Sequence, residues 1–170
     1  MERSCDFAEL VRQHQGTVFS IALHYLRDRA TAEEVAQEVF FGLHRNMDRI
    51  ESPSHAAAWL RKVAVQRSID EGRRRSRRPQ VALDDVAEPA AGISPGDPML
   101  AELLRKLVAT LPEAPRMAMV LRYQEDLDPA EIAAALEMPV ATVKSHLQRS
   151  LAVLRRKLAG CGMGESGWIG

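Results

Sequence analysis

Apolar residues recur along this chain at helical spacing, and almost nowhere in strict alternation. From Asp6 to Leu26, Phe7, Leu10, Val11, Val18, Ile21, Ala22 and Tyr25 form one stripe. Asp28 and Thr31 bracket a turn, and Thr31-Ala32-Glu33-Glu34 reads as a capping box that opens a second helix. That helix runs to about Met47, with Val35, Val39, Phe40 and Leu43 on one face. After a Ser-Pro-Ser loop, with Ser54 as the expected cap, a third helix from Ala56 to about Arg75 should bury Trp59, Leu60, Val63 and Ile69.

The pattern then breaks. Arg78 to Pro98 carries four prolines and two glycines, has no helical period and offers little to bury. It reads as a linker over 79–98 between one unit at 1–78 and another at 99–160. Helical spacing resumes over Met99–Thr110 and Pro112–Gln124. Asp128-Pro129-Ala130-Glu131 then combines a preferred N-cap, a proline at the first helical position and a glutamate that closes a capping box. Ile132, Ala133 and Leu136 face inward, and Glu137-Met138-Pro139 makes a sharp turn. The next helix carries Val143, Leu147, Leu151, Leu154 and Leu158 as one stripe. The Gly-rich end, 161–170, is expected to be disordered when alone. The fold class is therefore all-α, with two small helical domains joined by a flexible linker.

Charge sharpens this picture. The formal net charge is zero, yet the signs are segregated. Arg61, Lys62, Arg67, Arg73, Arg74, Arg75, Arg77 and Arg78 crowd the third helix against only Asp70 and Glu71. The last helix carries Lys144, Arg149, Arg155, Arg156 and Lys157 with no acidic residue. Its non-core face, Ala141, Thr142, Lys144, Ser145, Gln148 and Arg149, is small, polar or basic. Such a face suits the second helix of a helix-turn-helix, where small residues allow close approach and Lys, Arg and Gln reach phosphates and base edges. A solvated basic face is the plainer reading. It leaves unexplained why the tight turn, the absence of acids and the basic extension Arg155-Arg156-Lys157 occur together.

Other chemistry is sparse. Cys5 and Cys161 stand apart without Cys-x-x-Cys spacing, and His14, His24, His44, His55 and His146 form no metal-ligand pair, so neither disulfide nor metal nor cofactor is expected. No nucleophile–base set or phosphate loop is visible, which argues against an enzyme. No apolar run reaches the roughly 18 residues of a membrane span, so no membrane insertion and a cytoplasmic location are expected.

The stretch from Leu111 to Leu158 resembles region 4 of the extracytoplasmic-function sigma factors of bacterial RNA polymerase, with its LPE start, LRY segment, EIA helix and P-V-x-T-V-K-S recognition helix. Independently, Leu10 to Ile50 resembles region 2, and Ala56 to Arg78 resembles the segment that engages and melts the −10 element. The resemblance covers about residues 6–158 and implies core RNA polymerase and promoter DNA as partners, with an anti-sigma factor as a third. It places Glu34, Val35, Gln37, Glu38 and Phe40 on the polymerase-docking helix. It sets Arg61, Lys62, Gln66, Arg67, Arg73 and Arg74 toward −10 DNA, and Thr142, Lys144, Ser145, His146, Gln148 and Arg149 toward −35 DNA. The loop Asp48–His55 maps onto the segment that captures a flipped −10 base. Asp126 stands where the family often has Gly, and Asp128 where it has Ser or Thr.

Two rivals remain from the residues alone. One is a helix-turn-helix regulator with a helical sensing or dimerisation domain, which would select DNA without polymerase. The other is a sigma mimic that sequesters an anti-sigma factor, which should have lost its basic faces.

Overall fold

The computed structural model describes residues 5–78 and 97–160. The expected linker and the Gly-rich tail with Cys161 lie outside the described residues, apart from the linker's last two positions. Among the described residues there are seven α-helices and one short 3-10 turn, and no strand.

The first unit contains α1 (Phe7–Leu26), α2 (Arg29–Arg45) and α3 (Pro53–Ser76), with the 3-10 turn at Met47–Arg49. Helix α1 packs against both others. Leu10, Val18, Ile21, Ala22 and Tyr25 from α1 meet Val35, Val39 and Leu43 from α2 and Ala56, Leu60, Ala64 and Val65 from α3. Trp59, Val63 and Ile69 only flank this core, half-buried. Trp59 lies over Gly42, where an added Cβ would sit 3.3 Å from its Cη2 atom.

Two helix starts differ from expectation. Asp28, not Thr31, caps α2, accepting a hydrogen bond from the Thr31 amide at 3.2 Å. Ser52, not Ser54, caps α3, accepting from the His55 amide at 3.1 Å. Pro53 decides the second case. It has no amide to leave unpaired and its φ suits the first helical position, so the cap falls just before it.

The second unit contains α4 (Pro98–Ala109), α5 (Glu113–Tyr123), α6 (Pro129–Leu136) and α7 (Val140–Gly160). Helix α5 is buried along Met117–Leu121 because α6, α7 and the first unit all pack on it. The capping box at α6 forms as the sequence implies, with Asp128 accepting from the Glu131 amide at 2.8 Å and Glu131 accepting from the Asp128 amide at 2.9 Å. Val143, Leu147, Leu154 and Leu158 are buried, Leu151 is half-buried, and Ser150 is buried among them.

Among the described residues, three non-glycine positions hold left-handed backbone: Arg27 (φ 57°), Asp126 (φ 54°) and Glu137 (φ 53°). Asp126 therefore occupies a conformation that glycine adopts without a Cβ clash. Asp126→Gly is expected to stabilise the chain by about 0.5–1 kcal/mol, read as a rise of a few degrees in Tm.

The two units are packed together, and one hydrophobic cluster runs through both. Helix α5 lies against α1 and α3, and α6 lies against α3. Arg116 of α5 donates to the Tyr25 carbonyl, and its guanidinium sits 4.4 Å from the Tyr25 ring centroid. Tyr25 belongs to the last turn of α1, whose unpaired carbonyls favour a cation. Arg27 pairs with Glu102 at 3.0 Å, and Ser20 donates to Glu125.

Candidate nucleic-acid and partner interfaces

Helix α7 presents a clean face. Ala141, Lys144, Gln148, Arg149, Arg155 and Arg156 are exposed, while Thr142, Ser145 and His146 are half-buried at its margin. Lys144, Gln148 and Arg149 form no hydrogen bond or ion pair with the other described residues. No acidic residue lies in the first turn, so the positive end of the helix dipole is uncompensated. The turn before it is closed by the left-handed Glu137, whose amide donates to the Ala133 carbonyl. The arrangement can receive a phosphate backbone at the helix start and offer an ammonium, an amide and a guanidinium to base edges.

Helix α3 is basic too, but its cations are engaged. Arg73 holds Glu113 through two bonds of 2.7 and 2.8 Å. Lys62 reaches Glu137 at 2.6 Å, Gln66 donates to the same carboxylate at 3.2 Å, and Arg61 meets Glu131 at 3.5 Å. Arg67 and Arg74 find partners within the first unit, Glu38 at 3.4 Å and Glu71 at 2.9 Å. The Arg73 hydrogen bond and charge hold Glu113 below the usual carboxylate range, and Lys62 does the same for Glu137. All six residues assigned to −10 DNA thus stand together on one helix. Arg61, Lys62, Gln66 and Arg73 are bound by the second unit.

On α2, Glu34, Gln37 and Glu38 are exposed along one edge. Val35 is only 3% exposed, so it holds the helix to the core and offers nothing to a partner. Phe40 is half-buried and packed against the core, whereas Phe41 is 63% exposed. Phe41 was missed in the sequence, although Glu34, Gln37, Glu38 and Phe41 follow the i, i+3, i+4, i+7 spacing of one helix face.

Between the units lies a cavity of about 260 Å³ lined by His14, Thr17, Arg61, Glu125, Leu127 and Glu131 among others. Burial pushes the Glu125 carboxyl above its usual 4.5, with the Ser20 hydrogen bond and His24 pulling partly back. Such a carboxyl binds its proton more tightly in the folded chain than in the unfolded one. Its contribution to stability is therefore greatest at low pH and is lost as pH rises through the raised value. Glu125→Gln, which can still accept from Ser20, is expected to raise Tm at pH 7. The gain over the wild type should shrink as pH falls toward 4.5. Thermal unfolding of both chains across that range checks it.

Among the described residues, no group of three or more His, Cys, Asp or Glu side chains could hold a metal ion, and no helix is long and apolar enough to cross a membrane.

Two helical units, the second ending in a helix-turn-helix with an open basic face, define a modular all-α DNA-binding protein. Known proteins narrow the class. Residues 10–78 match the family description Sigma-70 region 2, and residues 101–154 match Sigma-70, region 4. The chain is 31% identical to the ECF RNA polymerase sigma-E factor of Escherichia coli K12, over 89% of this chain and 86% of that one. It is 29% identical to the ECF RNA polymerase sigma factor SigW of Bacillus subtilis, over 89% and 88%. Its fold is similar to that of the sigma factor RpoE of Bartonella quintana, solved with the anti-sigma factor NepR, at a TM-score of 0.71 and 21% identity over 91% and 97% of the two chains. It is also similar to CnrH, solved with the cytosolic domain of CnrY, at a TM-score of 0.66 and 20% identity over 91% and 88%. The chain belongs to the sigma-70 family, in its extracytoplasmic-function group. It acts in promoter-directed transcription initiation with RNA polymerase.

Proposed function

We propose that the two units divide the work of promoter recognition, 1–78 serving core polymerase and the −10 element and 99–160 serving the −35 element. The observation that carries this reading is the face of α7, where Lys144, Gln148 and Arg149 are exposed, have no side-chain partner among the described residues and are free of acidic neighbours on their own helix. In the −35 major groove, Lys144 and Arg149 reach phosphate or guanine and Gln148 reaches adenine, while Thr142, Ser145 and His146 border the backbone. On α3, Arg61, Lys62, Gln66 and Arg67 face the −10 strand and Arg73 and Arg74 bind its phosphates without reading sequence. Along α2, Glu34, Gln37 and Glu38 accept hydrogen bonds from the polymerase, Phe41 supplies the apolar anchor, and Val35 and Phe40 hold the helix in place.

The chain is a regulatory initiation factor and not an enzyme, it works in the cytoplasm, and an anti-sigma factor restrains it. The support for that last partner is that the similarly folded sigma factor RpoE was solved with the anti-sigma factor NepR.

The test is transcription by core RNA polymerase from a library of random upstream sequences. Adding the wild-type chain is expected to select start sites that share a two-element motif. Selection of a DNA sequence by the chain alone, with no polymerase-dependent start, would replace this reading with that of a conventional helix-turn-helix regulator.

A further inference from the structure

Helix α4 is the only α-helix among the described residues without a single buried residue. Its sequence alone predicts the opposite. Leu100, Leu103, Leu104, Leu107 and Val108 form a full apolar stripe, the pattern of a helix laid on a core. All five are half-buried, and among them only Leu107 and Val108 pack against the common core. Met99, one turn before Leu103, is 77% exposed. The stripe is thus closed at its C-terminal end and open at its N-terminal end. A contiguous apolar surface of this kind on a polar domain marks a binding site.

The place where α7 ends says what can reach it. Lys157, in the last turn of α7, donates to Thr110 Oγ1 at 2.6 Å, and Thr110 is the residue just after α4. The chain therefore leaves α7 beside the closed end of the stripe. Eight further residues lead from Gly160 to Trp168, with Ile169 next to it. Eight residues span at most about 27 Å. Leu100 lies about 15 Å along the helix from Thr110, well within that reach. Gly162, Gly164 and Gly167 allow the chain to reverse direction at no steric cost. Charge agrees with this placement. Lys106 of α4 reaches Glu102 only at 3.9 Å, and Glu165 stands midway along the tail.

We propose that the open end of the α4 stripe is a docking site for this chain's own tail, with Trp168 and Ile169 laid against Met99, Leu100, Leu103 and Leu104. The tail enters at the C-terminal end of α4 and runs back along it. A tether this short gives an effective concentration of about 1 mM, so contacts too weak to hold a separate peptide hold the tail. Docked, the tail withdraws this face of the second unit from other proteins. Displaced, it offers them an apolar strip. Tail docking stands independently of promoter recognition, because it uses no residue assigned to DNA or polymerase.

The test reads the solvent accessibility of Trp168 by acrylamide quenching. The full-length chain carries Trp59→Phe, which leaves Trp168 as its one tryptophan. A peptide of residues 159–170 gives the undocked reference. Quenching is expected to be about threefold or more weaker in the chain than in the peptide. Met99→Gln/Leu103→Gln, on the α4 face, should restore quenching to the level of the peptide. Phe41→Ala, which removes an exposed apolar side chain from α2, should leave it unchanged. Circular dichroism verifies folding. Should the double variant not fold, Met99→Gln alone decides, since so exposed a side chain holds little of the core. Quenching in the chain equal to that in the peptide would overturn the proposal. Protection that survives the α4 substitutions would do the same, sending the tail to another face and leaving α4 to the linker or a separate partner. Protection that appears only as protein concentration rises would assign the site to the tail of a second copy, and would overturn it as well.

Discussion

Replacing Lys144 and Arg149 together with alanine is expected to cut transcription from −35-dependent promoters by about thirtyfold or more, while leaving Tm and polymerase affinity unchanged. Both side chains are exposed and have no partner among the described residues, so removing them opens no cavity and orphans no buried group. Each contact to phosphate or base is worth about 1–3 kcal/mol, so losing two costs at least about 2 kcal/mol in the complex. The two losses should also differ in kind. A residue on phosphate weakens all promoters alike and lowers the salt dependence by about one counterion, whereas a residue on a base edge relaxes preference at one position. Selection from the random upstream library, repeated with each single variant, separates them. An unchanged selected motif and unchanged yield in the double variant would remove α7 from DNA recognition.

The same reasoning shows how far the sequence could be read. The seven helices follow from apolar spacing and local caps, and the Asp128–Glu131 box could be placed to the residue because its rule involves only four neighbours. Local rules failed where two eligible side chains compete. Ser52 and Ser54 flank Pro53, and Asp28 precedes Thr31 by three positions, so tertiary fit and proline geometry decided. Asp28 is also held from afar by Arg75 at 2.8 Å, which no local pattern reveals. The docking of the two units lay beyond reach for a related reason. One contact joins Arg116 to Tyr25 across 91 positions of chain, and the acids that meet α3 sit at helix starts and in a turn, where an acid already has a local use. The basic residues of α3 and α7 look alike in sequence. Only the packing shows that one set is engaged and the other open.

Helix α2 gives the second large effect, because the packing buries Val35, which the family resemblance sets on the docking surface, and exposes Phe41, which it does not. Phe41→Ala is expected to leave Tm within about 1 °C while weakening binding to core polymerase by about thirtyfold. An exposed aromatic that becomes buried at the centre of an interface is typically worth about 2 kcal/mol or more, and an exposed one contributes little to the fold. Gln37→Ala/Glu38→Ala should also weaken docking. Loss of Glu38 additionally releases Arg67, so that variant also alters the face proposed for −10 DNA. Val35→Ala should behave in the opposite way. Its side chain is buried against α1 and α3, so truncation costs about 1–3 kcal/mol of stability and lowers Tm by several degrees. Measured on the folded fraction, its affinity for polymerase should match the wild type. Thermal unfolding and a polymerase titration on both variants read the two effects separately. A Phe41→Ala chain that binds as tightly as the wild type would shift the docking surface to the polar edge of Glu34, Gln37 and Glu38 alone. A Val35→Ala chain that loses affinity at full stability would mean that α2 turns to expose this residue on docking.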